Sequence, residues 1–136
     1  MNNILTTERT EFTENLNTLS GQIVDSGIYI HRQLGPGLLK SAYQKALTYI
    51  FTKRKIPFEK EKSIPVTIDG VVIDDAYRAD FVVANQIILE TKSVRALQPI
   101  DEAQLLTYMK LGRFPLGLLM NFNVRLLKDG IKRMRL

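Results

Sequence analysis

The sequence predicts a single α/β domain, a mixed β-sheet flanked by helices. Three observations carry this. Apolar residues recur at steps of three and four in the first third of the chain, then switch to a period of two near residue 64. Asp69-Gly70 lies between two β-branched runs, a strong hairpin signal. A strand–helix–strand order over residues 87–122 calls for a right-handed parallel crossover. The length, 136 residues, suits one domain. Such a chain buries roughly two-thirds of its unfolded surface.

The elements follow in order. Residues 1–18 are rich in Thr and Asn and read as an N-terminal tail or helix extension ahead of a domain over 19–136. Phe12, Leu16, Leu19 and Ile23 step by four, three and four, so helix can begin near residue 10. The stronger helix covers about residues 19–34, with Ile23, Ile30 and Leu34 on one stripe around Gly27. Gly35-Pro36-Gly37 ends it, because glycine suits the cap and proline cannot continue a helix. A second helix, about residues 38–55, places Leu39, Ala42, Tyr43, Ala46, Leu47, Ile50 and Phe51 on one apolar face. Lys40, Ser41, Gln44, Lys45, Thr48 and Thr52 form its wet face, and Pro57 marks the exit.

Ile64, Val66 and Ile68 then alternate with Pro65 and Thr67, and Val71-Val72-Ile73 follow the Asp-Gly turn. Residues 77–83 and 87–92 read as two further strands around Ala84-Asn85-Gln86. Pro99 opens a third helix, about residues 100–111, with Asp101 and Glu102 in the first turn where the dipole favours acid. Residues 116–122 are nearly continuous apolar sequence, the pattern of a strand buried on both faces. The basic end, 123–136, has room for one short edge strand.

Composition narrows the function. The absence of cysteine excludes a disulfide framework, thiolate zinc sites and cysteine catalysis, and is compatible with the cytoplasm. No apolar run approaches the roughly 20 residues needed to span a bilayer, so no membrane role is expected. The first six residues lack a basic stretch and a long apolar one, so no signal peptide is expected. The net charge of +5 permits a polyanion partner without requiring one. The positive charge is concentrated in residues 40–62, with seven basic side chains against two acidic, and 121–136, with five against one.

Asp80 and Glu90-Thr91-Lys92 stand out, because their strands are otherwise apolar. Charges at the ends of core strands are costly unless paired or bound to a metal. Glu90 and Lys92 leave the same face of their strand. A three-residue loop at 84–86 pairs Val83 with Ile87 and brings Asp80 opposite Glu90 on that face; a two-residue loop puts Asp80 on the other. Two facing carboxylates call for a cation, and oxygen ligands suit Mg²⁺ or Mn²⁺. A neighbouring lysine can orient water or stabilise developing phosphorane charge. The set suits metal-assisted phosphodiester hydrolysis. An Asp80–Lys92 or Glu90–Lys92 ion pair holding a hairpin accounts for the same residues.

These residues resemble the D-x(n)-E-x-K signature of the PD-(D/E)XK nuclease superfamily. The segments His31-Arg32-Gln33-Leu34-Gly35-Pro36-Gly37, Tyr77-Arg78-Ala79-Asp80, Leu89-Glu90-Thr91-Lys92, residues 102–108 and residues 117–123 resemble the small bacterial and archaeal GxxExxY proteins, in order, over about residues 19–135. The resemblance implies a restriction-endonuclease-like core acting on nucleic acid. It implies Asp80 and Glu90 as metal ligands, the Thr91 carbonyl as a third, Lys92 as the catalytic lysine and Gln104 as a supporting residue. The chain departs from the naming motif: Gly37-Leu38-Leu39-Lys40-Ser41-Ala42-Tyr43 keeps the Gly and the Tyr but has Lys40 in place of the Glu. In the superfamily an acid at this place commonly reaches the metal. A protonated lysine cannot ligate one and opposes its charge. Lys40 could instead contact a phosphate or occupy part of the metal's place, which would weaken a nuclease.

Other residues carry plainer readings. His31 reads as a cap or packing residue and Tyr43 as core; Asp69, Asp74 and Asp75 read as turn residues. Lys53-Arg54-Lys55 complement a helix end or face DNA, and Lys128, Lys132 and Arg133 could track a phosphate backbone. Two other classes of function compete with a metal-dependent nuclease. One is a catalytically inactive module binding nucleic acid or a protein. The other is a structural homo-oligomer assembled through an apolar surface around residues 114–119.

Overall fold

The computed structural model describes residues 3–136, with side-chain surroundings from Thr7 onward. Two helices lead, α1 (Asn3–Leu34) and α2 (Lys40–Lys53), followed by three strands, β1 (Phe58–Ile68), β2 (Val71–Val83) and β3 (Ile87–Lys92). Helix α3 (Pro99–Gly112), β4 (Leu116–Asn121), a short 3₁₀ turn (Leu127–Gly130) and β5 (Ile131–Arg135) complete the chain. The five strands lie in sequence order in one sheet. β3 and β4 run parallel, as the strand–helix–strand order demands, and the other neighbours are antiparallel. The fold is the α/β mixed sheet with flanking helices that the sequence predicts. Among the described residues no helix is long and apolar enough to cross a membrane.

Alternation along the strands sorts the core into two layers. Phe81, Val83, Ile87, Leu89, Leu116, Leu118 and Met120 pack under Leu16, Ile23 and Ile30 of α1 and Tyr43, Leu47, Ile50 and Phe51 of α2. Val82, Ile88 and Leu119 face α3, where Leu105, Met109 and Phe114 cover them. Each fully buried side chain of this kind contributes about 1.5–3 kcal/mol. β4 is buried at all six positions, as its unbroken apolar run predicts. Gly27 is the place where α1 meets the sheet: a Cβ there would lie 2.5 Å from the Met120 sulfur.

Several expectations change. α1 starts at Asn3, ahead of residue 10. Its Leu34 is 45% exposed, and Leu39, at the N-cap of α2, is 78% exposed, so neither joins the core. Residues 71–73 and 77–83 form one strand instead of two. The break expected at Asp74-Asp75 is a bulge: the β1–β2 register shifts between Ile64 and Val66, and Asp75 takes φ 55°. Asp69-Gly70 is the hairpin turn, with φ 52° and 76°. Positive φ at both central residues matches the twist of the strands. The outer part of this hairpin projects past the sheet and exposes Ile68, Val71, Val72 and Ile73. The proposed oligomer surface at 114–119 is not a surface. Phe114, Leu116, Leu118 and Leu119 are all buried, because β4 is covered on both faces.

Candidate active site

Asp80 and Glu90 meet where β2 and β3 part. The loop at 84–86 has three residues, so Val83 pairs with Ile87, Val82 with Ile88 and Phe81 with Leu89. The ladder stops there, and side chains take over the next rung. The Asp80 amide donates to Glu90 Oε1 at 3.2 Å, and the Thr91 amide donates to Asp80 Oδ2 at 2.9 Å. The Thr91 hydroxyl donates to the same Oδ2 at 3.0 Å. The cause lies in β1: Glu61 turns to φ 53°, and the rung it would share with Asp80 is missing between Lys60–Phe81 and Lys62–Ala79. Ala79 and Val82 consequently both face α3, with alternation broken at Asp80. A kinked strand frees the Asp80 carboxylate to reach β3.

The surroundings of the two acids differ. Glu90 is buried and accepts a hydrogen bond from the Tyr77 hydroxyl. Burial, and then repulsion from Asp80, push its carboxyl from the ordinary 4.5 up to about 7. Tyr77 is raised by burial and by Glu90, so it remains a donor. Tyr108 of α3 stacks on Tyr77 and is raised by burial and by Glu90. Gln104 is exposed and hydrogen-bonds Tyr108, which stacks on the Tyr77 that donates to Glu90.

Asp80 is paired with a cation. Lys40, the first residue of α2, places Nζ 3.1 Å from Asp80 Oδ2. Of the two places open to its ammonium, the one on Asp80 is filled. Lys92 turns to Asp101 of α3, 3.7 Å away, instead of pairing with Asp80 or Glu90. Asp101 also accepts from the Gln98 amide at 2.7 Å, within the capping box that starts α3.

The rim is built by loops tied to one another. The Tyr43 hydroxyl donates to the Gly35 carbonyl at 2.6 Å and accepts from the Leu38 amide at 3.2 Å, fixing the turn ahead of Lys40. Tyr43 is fully buried and stacks on Phe122 at 4.4 Å. The Ser93 hydroxyl donates to the Leu38 carbonyl at 2.6 Å. Asn121 both accepts from the Val94 amide and donates to its carbonyl. His31 packs as expected, its Nε2 donating to the Phe122 carbonyl at 3.1 Å.

Sequence reasoning assigned no role to Gln44, Tyr77, Tyr108 or Asn121. Gln44 was visible only as one polar residue of the α2 wet face; it donates to Thr91 Oγ1 at 3.2 Å. The basic residues scatter. Lys53, Arg54 and Lys55 lie about 20 Å along α2 from Lys40. Arg54 is bound to Asp25 at 2.8 Å and lies over Tyr29. Arg133 hydrogen-bonds Asn17 of α1. Lys132 is different: it pairs with Leu119, which pairs with Glu90. One strand separates Lys132 from Glu90, and the two inter-strand spacings make about 10 Å. Lys128 is exposed in the turn just before it.

Asp80 and Glu90 suit a hard divalent cation in donor chemistry. The hydrogen bonds to the two acids fall on Asp80 Oδ2 and Glu90 Oε1, and Lys40 sits on the same Asp80 Oδ2. Among the described residues no three His, Cys, Asp or Glu side chains group as a metal cluster, and the charge set against Asp80 is the Lys40 ammonium.

A mixed sheet with an acid on one strand and Glu-x-Lys on the next, flanked by helices on both faces, defines a nuclease-like α/β domain. Residues 17–134 match the family model of the PD-(D/E)XK nuclease superfamily, and the chain belongs to that superfamily. Neither the curated proteins nor the solved structures gave a match.

Proposed function

We propose that this chain is a PD-(D/E)XK nuclease of the GxxExxY type, hydrolysing nucleic-acid phosphodiesters with Mg²⁺ or Mn²⁺ at a rate restrained by Lys40. The observation that carries this is the Asp80–Glu90 juxtaposition at the parted strand ends, one acid so buried and so close to the other that its carboxyl rises to about 7. Residues 19–136 form the nuclease-like domain, and 3–18 extend its first helix. The GxxExxY assignment is supported by Gly37, whose φ of 98° suits glycine, and by Tyr43, whose hydroxyl holds the Gly35–Leu38 turn in which Gly37 lies.

Asp80 and Glu90 would hold the metal, with the Thr91 carbonyl as a further oxygen. When bound, the metal supplies an acidified water and neutralises phosphoryl charge. The chain's own groups do the rest. Thr91 fixes the Asp80 carboxylate through its amide and hydroxyl. Tyr77, backed by Tyr108 and Gln104, fixes Glu90. Lys92 leaves Asp101 to face the scissile phosphate, where its charge stabilises the developing phosphorane. Lys128 and Lys132 hold the flanking backbone.

The Lys40–Asp80 contact favours a second reading, a binding module without catalysis. Cleavage of mixed DNA and RNA substrates with Mg²⁺ or Mn²⁺ separates the two. Cleavage by the chain and not by Asp80→Ala supports the nuclease. Cleavage by Lys40→Glu alone means Lys40 has silenced a nuclease site. No cleavage by any of the three overturns the catalytic reading.

A further inference from the structure

We propose that Lys40 couples metal uptake to phosphate binding: its ammonium neutralises Asp80 in the free protein and transfers to a nucleic-acid phosphate on binding, clearing Asp80 for the divalent cation. The inference rests on the nucleic-acid reading above.

The two partners of the ion pair are unequally free. Asp80 is 12% exposed in its side chain, Lys40 42%. Asp80 Oδ2 is pinned by the amide and the hydroxyl of Thr91, and Thr91 is itself fully buried and held by Gln44. The carboxylate cannot follow a departing ammonium. Lys40 is the first residue of α2, on a flexible four-carbon stem at the mouth of the site. It is the mobile half.

The charges then conflict. A divalent cation on Asp80 beside an undisplaced ammonium places two positive charges within a few ångströms, a strong repulsion in a partly buried site. A phosphate removes the conflict, because lysine binds phosphate readily as a point charge. One ammonium cannot neutralise Asp80 and a phosphate together. Phosphate and metal therefore favour each other, and by linkage each raises the other's affinity by the same factor. A glutamate at position 40 would leave a site that takes metal before nucleic acid arrives. Lysine reverses that order, so the empty protein holds little metal and becomes competent only on nucleic acid.

The test is Mn²⁺ binding, followed by the electron paramagnetic resonance of free Mn²⁺, with and without a short DNA duplex and with the duplex alone as blank. The full chain is compared with Lys40→Met, which keeps the stem and removes the charge, and Lys40→Arg, which keeps a charge. Without DNA, Lys40→Met should bind Mn²⁺ at least about 5-fold more tightly than the parent, and Lys40→Arg should not; couplings of this kind run roughly 5- to 150-fold. DNA should tighten Mn²⁺ binding by a larger factor in the parent than in Lys40→Met. Equal Mn²⁺ affinity of the parent and Lys40→Met without DNA, or an equal DNA effect in both, overturns the proposal. Absence of DNA affinity in all three proteins overturns the nucleic-acid reading and the coupling with it. A gain of Mn²⁺ affinity in Lys40→Met would then still show that Lys40 guards Asp80.

Discussion

Glu90 makes the stability of the protein depend on pH in an unusual direction. Its carboxyl is raised from 4.5 to about 7, chiefly by burial and then by Asp80, and the residue is 8% exposed. At about 1.4 kcal/mol for each tenfold change in acidity, that rise corresponds to about 3 kcal/mol. The folded state binds the Glu90 proton more tightly than the unfolded chain does. The contribution is therefore fully present below about pH 4.5 and is lost as pH rises through about 7. Glu90→Gln removes the titration while its amide oxygen still accepts from Tyr77 and the Asp80 amide. Urea unfolding at about pH 5 and about pH 8 measures the difference. Far-ultraviolet circular dichroism suits a chain without tryptophan. The parent should lose about 2–3 kcal/mol more than Glu90→Gln across that interval, moving its midpoint by about 1–2 M urea. Parallel pH profiles for the two proteins, or a variant less stable than the parent at the higher pH, would refute the reasoning.

Three further outcomes follow from the packing and the charges. Tyr43→Phe removes both hydroxyl bonds to the Gly35–Leu38 turn and should lower stability by about 1–2 kcal/mol in thermal melts. Gly130→Ala drives a Cβ into the Asn121 carbonyl, where no rotamer relieves the clash, and should destabilise the fold by about 1–3 kcal/mol in denaturant titration. Lys128→Ala with Lys132→Ala should weaken DNA binding and reduce the slope of log affinity against log salt by about 2, in fluorescence anisotropy at several salt concentrations. Lys53→Ala with Lys55→Ala, at the far end of α2, should leave that slope unchanged.

The sequence carried those parts of the fold that depend on local period and turn chemistry. The Asp69-Gly70 hairpin, the Val83–Ile87 register and the parallel β3–β4 pair all follow from alternation and loop length. The continuity of β2 was hidden, because Asp74-Asp75 carries the composition of a turn while a bulge lets the strand pass through. In the site, Asp80, Glu90 and Lys92 announced themselves as charges in apolar strands. What they bond to did not: the kink at Asp80 arises from Glu61 on another strand, and Lys92 meets Asp101 across the crossover. Contacts of that kind depend on tertiary placement, which no spacing along the chain encodes. Tyr77 was equally silent, since a tyrosine in a strand is ordinary until a buried acid lies beside its hydroxyl.

The tie from the Tyr43 hydroxyl to the Gly35–Leu38 turn has an evolutionary consequence. It anchors the start of α2 through backbone atoms and a tyrosine, none of which depends on what stands at position 40. The side chain there is 42% exposed, and its ion pair is with Asp80. Lysine and glutamate codons differ by a single base. On the function proposed above, a lineage can therefore cross between a site closed by its own cation and one open to metal in one step, with the scaffold and the remaining acids already in place. On that reading, loss of activity by this route is reversible in a way that loss through a damaged core is not.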